Sequence, residues 1–257
     1  MPELPEVETL CRQLNERIAG QKILSTDVYD DKLASMASVR RRIVMGVSRH
    51  AKTIVITLDD DRRILIHLRM TGRLFWHTAQ DKIPHGRWRI TFTDGNVDLV
   101  DPRRFATIKV ESTPAKNEYK DLLTGFDKKG FLEKQAKRKI SVKILLMDPK
   151  AIDGIGNIYA CEILHRSGIS PLRQAAELSK EEWMKIFRNA RRILKKGIEK
   201  RGTSISDWRD LYGCLGENQN ELNVYGQEGK TCRVCGGVIS RIKQGGRSTF
   251  YCSHCQN

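Results

Sequence analysis

The C-terminal stretch Cys232-Arg233-Val234-Cys235, matched by Cys252-Ser253-His254-Cys255, is the most decisive pattern in the chain. Between the two pairs, strand-like segments flank the turn Gln244-Gly245-Gly246-Arg247. Two cysteines separated by two residues can hold one side of a tetrahedral Zn²⁺, and a hairpin brings the second pair alongside. The spacing predicts a ribbon with one structural zinc ion on Cys232, Cys235, Cys252 and Cys255. Two disulfides or four reduced thiols are the alternatives.

The charge of the chain predicts its kind of partner. Among 257 residues there are 46 Lys and Arg against 31 Asp and Glu, a formal net charge of +15. Cationic side chains placed on phosphates release counterions, which favours a nucleic-acid partner; the alternative is solubility charge spread evenly over the surface. No stretch approaches the ~18 apolar residues of a membrane span, and the acidic start lacks the pattern of a secretory signal. We expect a cytoplasmic monomer, nucleoid-associated if bacterial, with no membrane partner.

The order of periodic segments predicts an α+β protein, in which a leading helix and a β-sandwich precede a helical region and the ribbon. Val7, Leu10, Leu14 and Ile18 recur at helical spacing. Strand-like segments follow around 22–29, 42–48, 52–58, 63–70, 87–93 and 97–110. Helical spacing then runs from Val142 to about Arg201.

These segments divide the chain into four regions. They are an N-terminal domain at 1–112, a Lys-rich linker at 113–140, a helical domain at 141–222 and the ribbon at 223–257. The last part of the helical domain, 202–222, contains Gly, Asn and Gln without any period. We expect it to be a long, mobile loop with a function, because loops of this length are usually functional.

The first residues combine an unusual amine with two carboxylates. Removal of Met1 would expose the secondary amine of Pro2, and because α-amino groups titrate near pH ~8, a fraction would be neutral and able to attack an aldehyde-level carbon. Glu3 and Glu6 lie close enough in sequence to transfer protons. Pro and Glu are also common in the first turn of a helix, so the residues alone leave both interpretations open.

Four motifs together resemble the formamidopyrimidine-DNA glycosylase family, the helix-two-turn-helix DNA glycosylases and abasic-site lyases. They are Pro2-Glu3-Leu4-Pro5-Glu6, Asp101-Pro102-Arg103-Arg104-Phe105, Gly154-Ile155-Gly156-Asn157-Ile158-Tyr159-Ala160 and the cysteine ribbon. The resemblance covers essentially the whole chain and follows the order of the motifs in the family. The stretch between 111 and 141 departs from it, because it is shorter and lacks Gly-Pro-Glu-Pro.

The resemblance implies a base-excision repair enzyme for oxidised purines, namely 8-oxoguanine and formamidopyrimidines in duplex DNA. Pro2 matches the nucleophile that forms a Schiff base with C1′ and drives β- and δ-elimination. Glu3 matches the carboxylate that assists opening of the sugar ring, and Glu6 matches a supporting carboxylate. Lys52 matches a lysine that contacts the phosphate and sugar of the lesion.

The resemblance also implies a DNA-binding set. Residues that match phosphate contacts are His67, Asn157, Tyr225 and Arg247. Met70, Arg103 and Phe105 match side chains that fill the space left by an everted base, with Arg103 on the opposite base and Phe105 as a wedge. Thr203 and the amides of 205–208 match a loop that folds over the everted base.

Two other functions remain open at this point. A glycosylase for oxidised pyrimidines, similar to endonuclease VIII, typically begins Pro-Glu-Gly-Pro-Glu and has a reduced base-covering loop, so Leu4 argues against it. A catalytically silent zinc-ribbon DNA-binding protein would need the basic surfaces but neither Pro2 nor Glu3.

Overall fold

The computed structural model of the chain describes residues 2–33, 38–112 and 121–257. The chain forms two compact units, Met1–Asn117 with Gly197–Gln219, and Glu118–Lys196 with Asn220–Asn257. The sequence-based division assigned 202–222 to the helical domain, but most of this stretch belongs to the unit that holds the N-terminus. The reason is that Trp208 and Leu211 are part of the hydrophobic core of that unit.

The first unit begins with helix α1, Leu4–Ile18, which the apolar spacing predicts. Leu10, Leu14 and Ile18 are fully buried and form its inner stripe. At its start, the side chains of Glu3 and Glu6 form a capping box, which satisfies amides that have no acceptor within the helix.

Eight antiparallel strands form the two sheets of this unit. The first sheet has the order β1 (Ser25–Val28), β6 (Gly86–Thr91), β7 (Asn96–Val100), β5 (Arg73–His77). The second has the order β2 (Val44–His50), β3 (Thr53–Leu58), β4 (Arg63–His67), β8 (Thr107–Glu111). Ile54 and Ile66 of the second sheet join Trp88 and Leu99 of the first and Leu14 of α1 in one buried cluster, which is the core of a β-sandwich.

The predicted fold class is confirmed, but two strand predictions differ from the structure. The segment 97–110 was predicted as one strand, whereas β7 ends at Val100 and a turn precedes β8. Strand β5 was not predicted, because only Leu74 among its five residues is buried and the usual alternation is missing.

The second unit is helical and ends in the ribbon. Its elements are α2 (Lys128–Lys134), α3 (Val142–Leu146), α4 (Asn157–Ser167), the greater part of α5 (Lys180–Glu199), β9 (Ile239–Gln244) and β10 (Arg247–Cys252). Phe131 packs edge-on against Trp183 and Phe187 between α2 and α5. Cys161 of α4 joins Ile239 and Phe250 in a second buried cluster under the ribbon.

The predicted linker, 113–140, is described only in part. Residues 113–120 lie outside the described residues, and the remainder contains α2. Within the described ranges, every helix is too short or too polar to cross a lipid bilayer.

Candidate active site and nucleic-acid interface

The N-terminal residues lie in a closed part of the first unit. Pro2 is buried, and Glu3 and Glu6 expose only 2% and 1% of their surface. Glu6 accepts the Glu3 amide through Oε2 and the Thr203 amide through Oε1, each at 2.7 Å. This carboxylate therefore joins the beginning of the chain to the root of the 202–222 loop.

A small cavity lies beside Pro2. Its volume is about 20 Å³, and its walls include Met70, Thr71, Asp207 and Trp208. The predicted nucleophile, a predicted DNA-inserting side chain and the predicted base-covering loop thus meet at one place. A cavity of this size holds about one water molecule, so a purine cannot enter unless the loop residues move.

The 202–222 loop is anchored at both ends. Thr203 is buried, and its Oγ1 accepts from Asn218 Nδ2 at 2.8 Å. Trp208 Nε1 donates to the Arg201 carbonyl at 3.2 Å, and the Leu211 amide donates to Gln13 Oε1 at 3.0 Å. These bonds restrict the loop that the sequence predicts to be mobile. The Thr203 hydroxyl bonds to Asn218, another residue of the same loop.

The tip of this loop has a different character. Ile205, Ser206 and Asp207 are exposed, and their backbone amides make no hydrogen bond within the described part of the chain. Asp207 approaches Arg73 at 3.7 Å. Amides without acceptors on an anchored loop are available to bind a ligand, and they lie next to the cavity beside Pro2.

Lys52 and His67 lie near each other at one end of the second sheet. Lys52 follows Ala51 in the turn between β2 and β3, and Thr53 pairs with His67. His67 Nδ1 accepts the Arg69 amide at 3.0 Å, which places the proton of a neutral ring on Nε2. Burial, with the charges of Arg69 and Lys52, lowers the pKa of His67 to about 4. A neutral ring that can donate from Nε2 suits a phosphate contact.

This pKa predicts how stability depends on pH. The ordinary value for His67 is 6.5 and the folded value is about 4, so the unfolded chain binds more protons between these limits. The free energy of unfolding should therefore decrease as the pH falls from 6.5 towards 4. His67→Gln should make that decrease smaller, as measured by urea unfolding at several pH values. Equal pH dependence in both proteins would contradict this assignment.

The three predicted DNA-inserting side chains come together on two turns. Met70 and Phe105 are 48% and 45% exposed although both are large and apolar. The Arg103 guanidinium lies over the Phe105 ring at 4.6 Å, and its Nη1 is 3.8 Å from Met70 Sδ. An exposed group of this composition can fill a space between bases and donate to a base edge.

In the second unit, Asn157 begins α4 and is tied to the ribbon. Its Nδ2 donates to the Ser248 carbonyl at 2.9 Å, and Lys143 Nζ donates to its Oδ1 at 2.6 Å. Lys143 is fully buried and also donates to Thr249 Oγ1 at 2.7 Å. The neighbouring Arg247 is exposed at the start of β10. The predicted phosphate contacts Asn157 and Arg247 therefore lie close together.

Tyr225 is positioned by a buried carboxylate. Glu162 of α4 accepts the amides of Val224 and Tyr225, each at 2.9 Å. The Tyr225 ring packs edge-on against Phe250 of the ribbon, with 5.0 Å between ring centroids. Neither Glu162 nor Lys143 is among the site residues predicted from the sequence. What could have identified them in the sequence is that each is a charged residue among the apolar residues of a helical segment.

The four ribbon cysteines converge as the spacing predicts. Their Sγ atoms all lie within 4.8 Å of one another, and the cysteines are free thiols, not disulfides. The Sγ atoms of Cys232 and Cys255 are 3.8 Å apart, and those of Cys235 and Cys252 are 3.4 Å apart. A tetrahedron with Zn–S bonds of ~2.3 Å has edges of ~3.8 Å, so the cluster fits one structural zinc ion.

The sandwich, the helical unit and the ribbon correspond to the three parts of a helix-two-turn-helix DNA glycosylase. Family models match residues 1–108 as the formamidopyrimidine-DNA glycosylase N-terminal domain and 120–208 as its H2TH domain. Residues 229–257 match a zinc finger found in FPG and IleRS. The chain belongs to the formamidopyrimidine-DNA glycosylase family.

Named relatives match over the whole chain. The formamidopyrimidine-DNA glycosylase of Carboxydothermus hydrogenoformans is 39% identical over 268 residues, with 100% of each chain covered. That of Desulfitobacterium hafniense is 34% identical over 273 residues, also with 100% of each covered.

Solved structures of relatives contain DNA. A Lactococcus lactis Fpg complex with abasic-site DNA has a TM-score of 0.91 at 32% identity, with 100% of both chains covered. MutM in complex with DNA that contains carbocyclic 8-oxo-G has a TM-score of 0.89 at 33% identity, again with 100% of both chains covered. The family models, the named relatives and the solved structures all agree on this family and its fold.

Proposed function

We propose that this glycosylase excises oxidised purines, 8-oxoguanine and formamidopyrimidines, from duplex DNA in the cytoplasm and then cuts the strand by β,δ-elimination. The observation that carries the proposal is that Pro2 and the loop residues Asp207 and Trp208 line one small cavity. Glu6 forms a capping box with Glu3 and accepts the Thr203 amide at the root of the same loop. The DNA in the solved complexes of relatives, which contains an abasic site or carbocyclic 8-oxo-G, supports it.

The proposed chemistry uses the groups near the start of the chain. After removal of Met1, the neutral Pro2 amine attacks C1′ of the lesion, and the glycosidic bond breaks with its electron pair going to the base. The proton that the Pro2 nitrogen loses on bond formation goes to the departing base. Glu3 is the proposed group that protonates the ring oxygen, so that the sugar opens and an iminium ion forms. Loss of a C2′ proton from this ion then expels the 3′ phosphate, and a second elimination expels the 5′ phosphate.

The loop tip is the proposed reader of the everted base. Its amides at 205–207 have no acceptor among the described residues, and they adjoin the cavity. Amide donors suit the carbonyl oxygens of an oxidised purine, and an anchored loop root limits the entropy lost when the tip closes. Within the duplex, Met70, Arg103 and Phe105 would occupy the space that the everted base vacates.

Borohydride trapping with a lesion panel tests the activity. The chain should form a covalent complex with 8-oxoguanine duplex in the presence of borohydride, and intact mass should place the adduct on a chain that lacks Met1. Duplexes with oxidised pyrimidines such as thymine glycol should be processed more slowly. Preference for the pyrimidines would assign the chain to endonuclease VIII-like activity, and binding without trapping would make it a silent DNA-binding protein.

Zinc removal should affect DNA binding through the ribbon. Chelation should release one Zn²⁺ per chain, disorder the hairpin that carries Arg247 and weaken the binding of abasic-site duplex, and added zinc should restore it. Metal analysis and fluorescence anisotropy measure the two effects on the same sample. A folded, DNA-binding chain with less than about half a zinc would contradict this prediction, since one site needs one ion.

A further inference from the structure

The turn between β7 and β8 is organised around one buried carboxylate. Asp101 exposes 1% of its surface. Its Oδ2 accepts the amides of Phe105 and Ala106 at 2.7 Å each, and its Oδ1 accepts the Arg103 amide at 3.2 Å. The backbone that carries Arg103 and Phe105 is therefore held by a side chain and not by pairing between strands.

The same carboxylate is bonded to the turn that carries Met70. Thr71 Oγ1 donates to Asp101 Oδ1 at 2.5 Å. The two turns are also in close contact at Gly72. A side chain added there would place its Cβ only 2.9 Å from the Cβ of Ala106, which is too close for two carbon atoms. Asp101 is thus bonded to both turns on which the three inserting side chains are found.

Buried charges support Asp101 from the side of the sheet. Arg87 exposes 3% of its surface, lies 3.4 Å from Asp101 Oδ2 and donates to the Ala106 carbonyl at 2.7 Å. Asp30 accepts from Arg87 and, at 3.0 Å, from Arg104 Nε. Burial alone would raise the pKa of Asp101, but hydrogen bonds, chiefly from Ala106 and Thr71, outweigh it and lower that pKa.

We propose that Asp101 is the positioning residue for DNA insertion, since it fixes Met70, Arg103 and Phe105 in one arrangement before DNA arrives. This inference rests on the proposed function, in which these side chains occupy the space of an everted base. Exposed side chains cannot be fixed by packing, so their arrangement depends on the turns that carry them. An inserting group that is displaced by about 1 Å loses much of its effect.

Asp98 provides a matched control. It is equally buried, at 1%, and it lies on β7 three positions before Asp101. Its hydrogen bonds go to Arg89, at 2.8 and 2.9 Å, and to His77. Both aspartates contribute to stability, but only Asp101 is bonded to the two turns.

The test uses the full chain with zinc and a duplex that contains tetrahydrofuran, an uncleavable abasic analogue, opposite 2-aminopurine. In the wild type, binding should change the emission of 2-aminopurine because Arg103 and Phe105 enter the stack. Asp101→Asn replaces one of the two carboxylate oxygens with an NH2 donor. In either orientation of the side chain, at least one of the amides of Arg103, Phe105 and Ala106 loses its acceptor. It should reduce the emission change at saturation by more than about half. Asp98→Asn should keep the full change although it also lowers the melting temperature.

Excision supplies the second measurement. Asp101→Asn should slow single-turnover release of 8-oxoguanine paired with cytosine by about tenfold or more. Cutting of a pre-formed abasic site in single-stranded DNA, which needs no insertion, should stay within about twofold of the wild type. Thr71→Val removes one bond to Asp101 while it keeps the side-chain shape, so it should show a smaller defect in the 2-aminopurine emission change. Thr71→Ser keeps the hydroxyl and should retain more of that emission change than Thr71→Val. If Asp101→Asn does not fold, the comparison of Thr71→Val with Thr71→Ser tests the positioning role instead.

The outcomes separate this inference from the proposed function. Equal emission changes in Asp101→Asn and Asp98→Asn, or equal slowing of both substrates by Asp101→Asn, would overturn the positioning role. No emission change with the wild type would also overturn it, because nothing would then insert. The emission assay requires no chemistry. A chain that inserts but excises no oxidised purine would therefore contradict the proposed function and leave the positioning role supported.

Discussion

Blocking the Pro2 amine is expected to abolish both base excision and strand cutting. A chain that retains Met1 has an amide nitrogen at Pro2, which cannot attack C1′. Pro2→Gly keeps only a primary amine with altered geometry and should slow both steps. Glu3→Gln should slow excision by about a hundredfold or more, since general acid catalysis contributes ~10²–10⁴. Single-turnover rates on 8-oxoguanine duplex, with and without borohydride, measure each effect.

Glu8→Gln is the matched control for Glu3→Gln. Glu8 lies on α1, whereas Glu3 is the residue that caps the start of this helix. The Glu8 carboxylate pairs with Arg12 and Arg49, each at 2.9 Å. It should keep wild-type rates, and all these variants should bind abasic-site duplex. If the borohydride-trapped complex formed as before with the amine blocked, the nucleophile would have to be Lys52.

Removing an amide from the loop tip is expected to separate base reading from strand cutting. Deletion of the whole 202–222 loop would also remove Trp208 and Leu211 from the core, so the change is best confined to the tip. Ser206→Pro removes one exposed amide, whereas Ser206→Ala keeps it. Loss of one hydrogen bond worth ~1.4 kcal/mol should slow 8-oxoguanine excision about tenfold and leave cutting at a pre-formed abasic site much less affected.

Phe105→Ala provides the contrast, because it should slow excision of every paired lesion whichever base is damaged. Excision rates on the panel of oxidised purines and pyrimidines distinguish Phe105→Ala from Ser206→Pro. If Ser206→Pro impaired abasic-site cutting as strongly as 8-oxoguanine excision, the loop tip would be structural. The assignment of base reading to Thr203 and the 205–208 amides would then be abandoned.

Patterns that repeat over a short stretch of sequence predicted their structures well. The apolar stripe of α1 and the paired cysteines each specify a structure through spacing alone, and both are confirmed. The exposed pair Met70 and Phe105 could be named only through the resemblance, because an apolar residue near a strand end is more often part of a core. Their exposure is what distinguishes them, and it is a property of the fold.

Residues whose role depends on a distant partner could not be predicted. Buried Lys143 is explained by Asn157 and Thr249, and Thr249 lies 106 positions further along the chain. The 202–222 loop has no period, yet Trp208 and Leu211 anchor it in a core that other segments build. Asp101 lies inside the segment 97–110, whose pattern predicts a strand. That pattern does not reveal that the Asp101 carboxylate accepts three backbone amides and so forms a turn. Local periodicity carries no information about such partners.

The bond between Glu6 and the Thr203 amide has a consequence for biosynthesis. It joins positions 197 residues apart, and residues 118–196, which lie between them, belong to the other unit. Chains emerge from the ribosome N-terminus first, and contacts of such long range form late. The Glu6 carboxylate therefore lacks its Thr203 donor until translation has passed residue 203. A nascent chain would carry the proposed Pro2 nucleophile without the completed loop contact, and the proposed activity would appear only when most of the protein has been made.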